Sequence, residues 1–297
     1  MAMPVRIDLH MHTTVSDGTD TPVEISANVV KAGIGLFAVT DHDAVKACRI
    51  LRETLTSDDP CLVPGIEFSC RDEEGKYHIL GYGFDPDGAT IGAVVETGHG
   101  YRIGKVQARL DYLKKEFGFE FPEEEIQALF GMDNPGKPHI GNLMVKYGYA
   151  QTKEQAIKEF INRVRFRSEY VRPEQAIEGI LGSGGIPVLA HPAFGSGDEL
   201  IMGEEMDERL RRLIAMGLQG MEAFYSGFTP KLSRQMLDFA ETYGLYVTAG
   251  SDYHGSNKLI PLGDTGLEET AEWPKGLHRF LDEVRTRTTY GGSLQCE

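Results

Sequence analysis

A chain of 297 residues, 41% apolar and 25% charged, is long enough to bury a large core, as one barrel-sized domain or as two smaller ones. Its formal net charge of −15 argues against long duplex nucleic acid as a partner, because that affinity rests on concentrated basic surface. No apolar run approaches the ~20 residues of a membrane helix, the four cysteines (Cys48, Cys61, Cys70, Cys296) are too sparse for a disulfide framework, and no signal peptide precedes Val5, so a cytoplasmic location is expected.

Val5, Ile7 and Leu9 alternate with Arg6 and Asp8, a short strand pattern that sets His10 at its C-terminal end. Residues two apart in an extended segment share a face, so His10 and His12 can close on one ion, and Ser16-Asp17-Gly18 turns the chain to offer a carboxylate. Thr21-Pro22-Val23-Glu24 is a helix start with Thr21 as N-cap and Glu24 placed for a capping box; Gly33 can end that helix. Leu36-Phe37-Ala38-Val39-Thr40 is an apolar strand with Asp41-His42-Asp43 at its end, where Asp43 is expected to cap a helix reaching about Thr54. Leu62-Val63-Pro64-Gly65-Ile66-Glu67 reads as a third strand that ends in a carboxylate. Residues 77–83 read as a fourth, joined to it as a hairpin, which would set His78 level with Glu67.

From about 99 to 170 helical segments follow one another without a strand, at 101–116, 122–130, 138–147 and 152–163. They are expected to form a helical insertion covering the mouth of a main domain made of residues 1–98 and 171–297. The alternation then resumes. A helix from Pro173 ends in Gly182-Ser183-Gly184-Gly185, a turn and not a phosphate loop, since no nucleotide fingerprint surrounds it. Ile186-Pro187-Val188-Leu189-Ala190 is a strand ending in His191-Pro192. A helix over 204–216 leads to the strand Gly220-Met221-Glu222-Ala223-Phe224. Thr229-Pro230 opens another helix, and Leu245-Tyr246-Val247-Thr248-Ala249 ends in Gly250-Ser251-Asp252-Tyr253-His254. Strands alternating with helices imply a largely parallel sheet, and functional groups at strand C-termini suit a barrel of about seven strands.

Six of the nine histidines (His10, His12, His42, His78, His191, His254) fall at or beside strand ends, as do Asp17, Glu67 and Asp252. One zinc ion takes about four ligands, so these donors suit two or three divalent cations sharing carboxylates and water. Each alone could be a buried, hydrogen-bonded polar residue; that account serves poorly for all of them at one face. The ordered set His10-Met11-His12, Ser16-Asp17-Gly18, Thr40-Asp41-His42-Asp43, Gly65-Ile66-Glu67, His78, His191-Pro192 and Gly250-Ser251-Asp252-Tyr253-His254 resembles the polymerase and histidinol phosphatase (PHP) family of metal-dependent phosphoesterases, over essentially the whole chain. The resemblance implies an α/β fold, a distorted (β/α)7 barrel, with three divalent metal ions. His10, His12, Glu67 and Asp252 would hold the first and Asp17, His42 and His254 the second, while Glu67 bridges to a third on His78 and His191. Manganese, iron and zinc all suit such ligands.

Three dications against three ligand carboxylates leave a charge of about +3, which attracts a phosphate. The resemblance implies that water on these metals would become hydroxide near neutral pH, and that Asp252 and His254 belong to the catalytic set. The implied activity is that of a phosphoric ester hydrolase acting on a small phosphorylated substrate, with no membrane partner. Lys137-Pro138-His139 resembles a family motif in which arginine usually precedes the proline; lysine lacks the bidentate fork, so phosphate recognition is expected to differ. Lys137 is a candidate phosphate contact, and His139 a candidate contact, leaving-group proton donor or structural histidine. Phe194 stands in a loop where many relatives with nucleotide bisphosphate activity carry an arginine–tyrosine pair; Tyr225 and Ser226 are candidate pocket walls. These departures lean toward a small or cyclic phosphodiester that is opened and then dephosphorylated. The competing substrates are a 3′,5′-bisphosphorylated nucleotide or short oligonucleotide end, and histidinol phosphate. An amide or lactone hydrolase would need fewer metals, and a polymerase-associated metal module would need the rest of a polymerase.

Overall fold

The computed structural model describes residues 6–165, 169–195, 200–270 and 272–292, so Val5, Ser196, Gly197 and Cys296 lie outside the described residues. The chain divides into two units, residues 1–95 with 171–297, and residues 96–170.

The first unit carries two sheets among its described residues. β1 (Arg6–Asp8), β2 (Ile34–Phe37) and β3 (Cys61–Leu62) are parallel. β4 (Gly65–Arg71), β5 (Lys76–Tyr82), β6 (Ile186–Leu189), β7 (Gly220–Tyr225) and β8 (Tyr246–Gly250) form the second sheet in that order. This sheet is mixed, against the expectation of a largely parallel one: β5 runs antiparallel to both β4 and β6. The reason is the short link between β4 and β5, since a parallel crossover needs a dozen or more residues. In that link Asp72 Oδ1 accepts from the N–H groups of Glu74 (2.9 Å) and Gly75 (3.1 Å). The single strand expected over 62–67 is two strands in different sheets, broken at Pro64, which has no N–H to give a ladder.

Backbone bonds join the two sheets through the segments that follow their strands. Leu9 donates to Ala249 (2.9 Å) and Asp252 to His10 (2.8 Å), while Asp43 donates to Glu67 (2.9 Å). The segments that follow β1 and β8 therefore meet each other, and the segment that follows β2 meets Glu67 of β4.

α1 (Pro22–Lys31) begins with the expected capping box on Thr21 and Glu24, and Gly33 follows it at φ +68°. α2 (Lys46–Thr54) has Val45 as N-cap and no side-chain cap. Asp43 does not cap it: the residue sits at φ +52° and accepts the Ser69 N–H at 2.9 Å, because its backbone is already bonded across to β4. α3 (Ala89–Phe117) starts in the first unit and continues into the second, which also holds α4 (Glu123–Phe130), α5 (Lys137–Lys146) and α6 (Lys153–Gln155). Val106, Leu110, Leu129, Ile140, Met144 and Ile161 form the interior of that second unit. The single helix expected over 152–163 is instead α6 followed by a π turn and a 3-10 turn.

α7 (Pro173–Gly182), α8 (Gly203–Ala215) and α9 (Pro230–Thr242) return to the first unit and pack on the β4–β8 sheet. α10 (Lys275–Val284) is an element the sequence reading missed. It buries Leu277, Phe280, Leu281 and Val284 at helical spacing, with Phe280 edge-on to Tyr82 at 5.4 Å between ring centroids.

Candidate metal centre

Glu67 is the hub. Its buried carboxylate faces two sets of imidazoles. Oε2 lies 3.3 Å from His10 Nε2, 3.2 Å from His12 Nε2 and 3.2 Å from His42 Nδ1. Oε1 lies 2.9 Å from His78 Nδ1 and 3.1 Å from His191 Nε2. One oxygen for each set is the arrangement of a carboxylate shared between ions. His78 is not level with Glu67 as expected: it pairs with Ser69, and Leu80 stands opposite Glu67. It still reaches Glu67 because residues two apart share a face, which leaves a diagonal contact within range of a long side chain.

Asp252 divides its oxygens in the same way. Oδ1 lies 3.6, 3.3 and 3.4 Å from His10 Nε2, His12 Nε2 and His254 Nδ1, whereas Oδ2 accepts from Tyr225 Oη at 2.9 Å and Lys258 Nζ at 2.5 Å. Half-exposed Asp17 places Oδ1 3.3 Å from His254 Nε2 and 3.6 Å from His12 Nδ1. Donor atoms thus converge in three groups: His12, Asp17, His42 and His254; His10, His12 and Glu67; and His42, Glu67 and His78. His12 belongs to two of them. The described non-glycine residues in the left-handed backbone region are Asp43, His191 and Asp252, at φ +52°, +25° and +59°. Two of these are ligand candidates and the third follows His42, a concentration of strain suited to a functional site.

Buried Nε2 atoms of His10 and His12 make no hydrogen bond. An unsatisfied buried polar atom costs about 1–3 kcal/mol, and a cation between these nitrogens and the facing carboxylate oxygens would satisfy both sides. The donor set therefore fits divalent metal ions. Electrostatics agree. Burial opposes charge on His10, but Glu222, Glu67 and Asp252 outweigh it and hold the imidazole well above its ordinary pKa. Burial likewise opposes His12, yet the facing Asp252 and Glu67 carboxylates raise it to about 9. Burial wins at His42, which falls to about 4. Burial also works against ionised Glu67 and Asp252, and the surrounding histidines still keep both carboxyls well below the usual range.

Three carboxylates behind the donors orient them. Glu222, in the middle of β7, accepts from His10 Nδ1 (3.0 Å) and from the His191 N–H (2.8 Å), which turns His10 Nε2 toward Glu67. Its approach requires Gly250, where a Cβ would come within 2.2 Å of His10 Cβ and 2.6 Å of Glu222 Oε1. Asp8 accepts from the N–H of Ser251 (2.9 Å), its hydroxyl (2.6 Å) and the N–H of Gly263 (2.8 Å), fastening the Asp252 loop. Asp41 does the same for the Asp17 loop through Thr13 and Ser16. The sequence reading assigned no role to Glu222. Its signal was an ionisable residue inside an apolar strand, which must be paired when buried. Glu222→Gln is expected to weaken metal binding about 10- to 100-fold, read by competition with a fluorescent chelator.

A cavity of about 130 Å³ is bordered by His42, Glu67, His78, His191, Phe194, Tyr225, Asp252 and Lys258. Phe194, Tyr225 and Phe228 stack edge to face beside it, with centroids 5.2 to 6.1 Å apart. Ser226 is not among the lining residues, and its hydroxyl is buried without a hydrogen-bond partner. Lys137 and His139 lie at the start of α5 in the helical unit. There Lys137 Nζ donates to Asn162 Oδ1 at 2.6 Å and His139 Nδ1 accepts the Gly136 N–H at 3.1 Å. Burial lowers the pKa of His139.

No protein-family model matches the chain. Individual proteins do. It is 29% identical to the 5′-3′ exoribonuclease Rnm of Salmonella typhimurium, over 90% of this chain and 94% of that protein. It is 29% identical to the phosphoribosyl 1,2-cyclic phosphate 1,2-diphosphodiesterase of Eggerthella lenta (86% and 96%) and 26% identical to the 3′,5′-nucleoside bisphosphate phosphatase of Chromobacterium violaceum (95% and 97%). Among solved structures, a Bifidobacterium adolescentis protein provisionally described as a metal-dependent phosphoesterase superposes with TM-score 0.72 at 26% identity, covering 98% of this chain and 99% of that one. A Chromobacterium violaceum structure described as an amidohydrolase with bound sulfate and no metal shares the fold, with TM-score 0.73 at 22% identity (94% and 97%).

Proposed function

We propose, for a chain that belongs to the PHP family of metal-dependent phosphoesterases, that it releases phosphate from a small organic phosphate at a centre of three divalent ions. The chain is a phosphoric ester hydrolase, as the named activities of its relatives agree on that bond. The observation that carries the three-ion reading is the division of Glu67 between two sets of imidazoles. His10, His12, Glu67 and Asp252 would hold one ion and Asp17, His42 and His254 a second. His78 and His191 would share a third with Glu67. The two sheets, joined by these backbone bonds, are read as the distorted barrel of the family.

Bound divalent ions supply a polarised water for attack on phosphorus and positive charge for the phosphoryl oxygens. The chain's own residues prepare that chemistry. Glu222 and the Asp252 carbonyl oxygen hold the Nδ1 atoms of His10 and His254, so the Nε2 atoms of both face the centre. Tyr225 donates to Asp252 Oδ2, and burial together with Asp252 raises its phenol pKa, so it stays a neutral donor. The Phe194 and Tyr225 rings wall one side of the cavity and limit water there.

The substrate is proposed to be a small phosphoester, either a cyclic phosphodiester that is opened and then dephosphorylated or a nucleotide bisphosphate. The Eggerthella relative supports the first and the Chromobacterium relative the second, while the Salmonella exoribonuclease supports a short oligonucleotide end as a further substrate. The test is phosphate release, with manganese supplied, from a panel of phosphomonoesters, cyclic nucleotides, nucleotide bisphosphates, ribosyl cyclic phosphate and histidinol phosphate. A cyclic phosphodiester or a nucleotide bisphosphate is expected to lead. Metal analysis of the same protein should find two to three ions per chain; one or none in folded, supplemented protein would remove the three-ion centre.

A further inference from the structure

The cavity beside the metal-centre residues has one lysine or arginine among its described lining residues, Lys258. We propose that Lys258 is a substrate contact whose ammonium binds an oxygen of the phosphoryl group being transferred. This rests on the phosphoesterase reading and adds a residue to it.

The backbone delivers Lys258 to the cavity through a single pinned turn. Gly255 starts it at φ +64°, a backbone that strains any side chain, and a Cβ there would lie 1.9 Å from Thr19 Oγ1, so glycine is required. Next in the turn, the Ser256 N–H donates to Thr19 Oγ1 at 2.9 Å and Asn257 Nδ2 donates to the Asp17 carbonyl at 2.7 Å. The turn is thus tied to the loop that carries Asp17, and Lys258 leaves it from a fixed point.

Its side chain is 39% exposed, and Nζ donates to Asp252 Oδ2 at 2.5 Å. An ammonium has three N–H donors, so this bond leaves capacity for a ligand oxygen. Asp252 turns its other oxygen to the imidazoles of His10, His12 and His254. The ammonium therefore stands one carboxylate away from the convergent donors, on the cavity side. With a cation sharing its charge, Asp252 would hold Lys258 less firmly, and a phosphoryl oxygen would become the stronger acceptor. A charge-assisted contact of this kind gains strength as charge builds on the phosphoryl oxygens.

The test compares wild-type, Lys258→Met and Lys258→Arg as full-length, metal-loaded protein. It measures kcat/KM on two esters with different leaving groups, the inhibition constant of inorganic phosphate, and metal content. For Lys258→Met we expect kcat/KM to fall about 10- to 100-fold on both esters. The phosphate inhibition constant should rise comparably, metal content should not change, and Lys258→Arg should recover part of the loss. An unchanged phosphate constant would overturn the proposal. So would metal loss from Lys258→Met, which would make Lys258 a support for Asp252 alone. A defect confined to substrates with a second phosphate would overturn it too, by moving the contact away from the transferred group. If the wild-type protein cleaves no ester on the panel, the hydrolase reading fails, while phosphate binding read by calorimetry still decides the role of Lys258.

Discussion

Glu67→Gln is expected to lower kcat/KM at least ~1000-fold and to remove more than one metal ion per chain while the fold persists. Glutamine keeps the shape of the side chain but brings an N–H2 group to a place where both oxygens face imidazole nitrogens. Whichever way the amide turns, one set of histidines loses its acceptor and its counter-charge. Metal ions contribute several kcal/mol of charge stabilisation in the transition state, and 1.36 kcal/mol corresponds to tenfold in rate. Metal content and turnover should therefore fall together, with the far-UV circular dichroism spectrum intact. A folded variant with full metal content and near-normal turnover would falsify the hub role of Glu67.

The second large effect is competition between protons and metal. In the metal-free protein, burial disfavours charge on His10 and His12, but the facing carboxylates raise both above the ordinary value of histidine, His12 to about 9. Near pH 7 both carry protons that an incoming cation must displace, so binding should release about two protons per chain. Apparent metal affinity should then fall by up to ~100-fold for each pH unit lowered below the His12 value. Calorimetry in buffers of differing ionisation enthalpy measures the protons released, and chelator competition at pH 6, 7 and 8 measures the affinity. Chelated protein should show the reverse trend in stability. A raised folded-state pKa contributes stability that is fully present below the unfolded value of about 6.5 and is lost as pH rises toward 9. Melting temperature after chelation should drop over that window. A pH-independent affinity would mean that these imidazoles are neutral before metal arrives.

What could be read from the chain alone was local chemistry and its order. Thr21 and Glu24 announce the start of α1 because a capping box is complete within four residues. His10 and His12 announce a shared face because the strand period is two. Donors at the ends of successive strand patterns implied one assembled centre, since strand order delivers such ends to one side of a sheet.

The tertiary structure decided what depends on partners distant in sequence. The diagonal reach of His78 to Glu67 follows from pairing register, which no single strand carries. Asp43 reads as a cap by its neighbours, and the Ser69 N–H, 26 residues away, takes it instead. Glu222 became the orienting partner of His10, 212 residues distant, only because Gly250 lets the two approach. Lys258 joined the cavity because its turn is fastened to Thr19 and Asp17 near the opposite end of the chain. The sequence by itself determined which side chains can hold metal, because ligand chemistry belongs to the residue. Which oxygen faces which nitrogen was decided by the packed strands and loops, because that depends on angles and distances set across the whole fold.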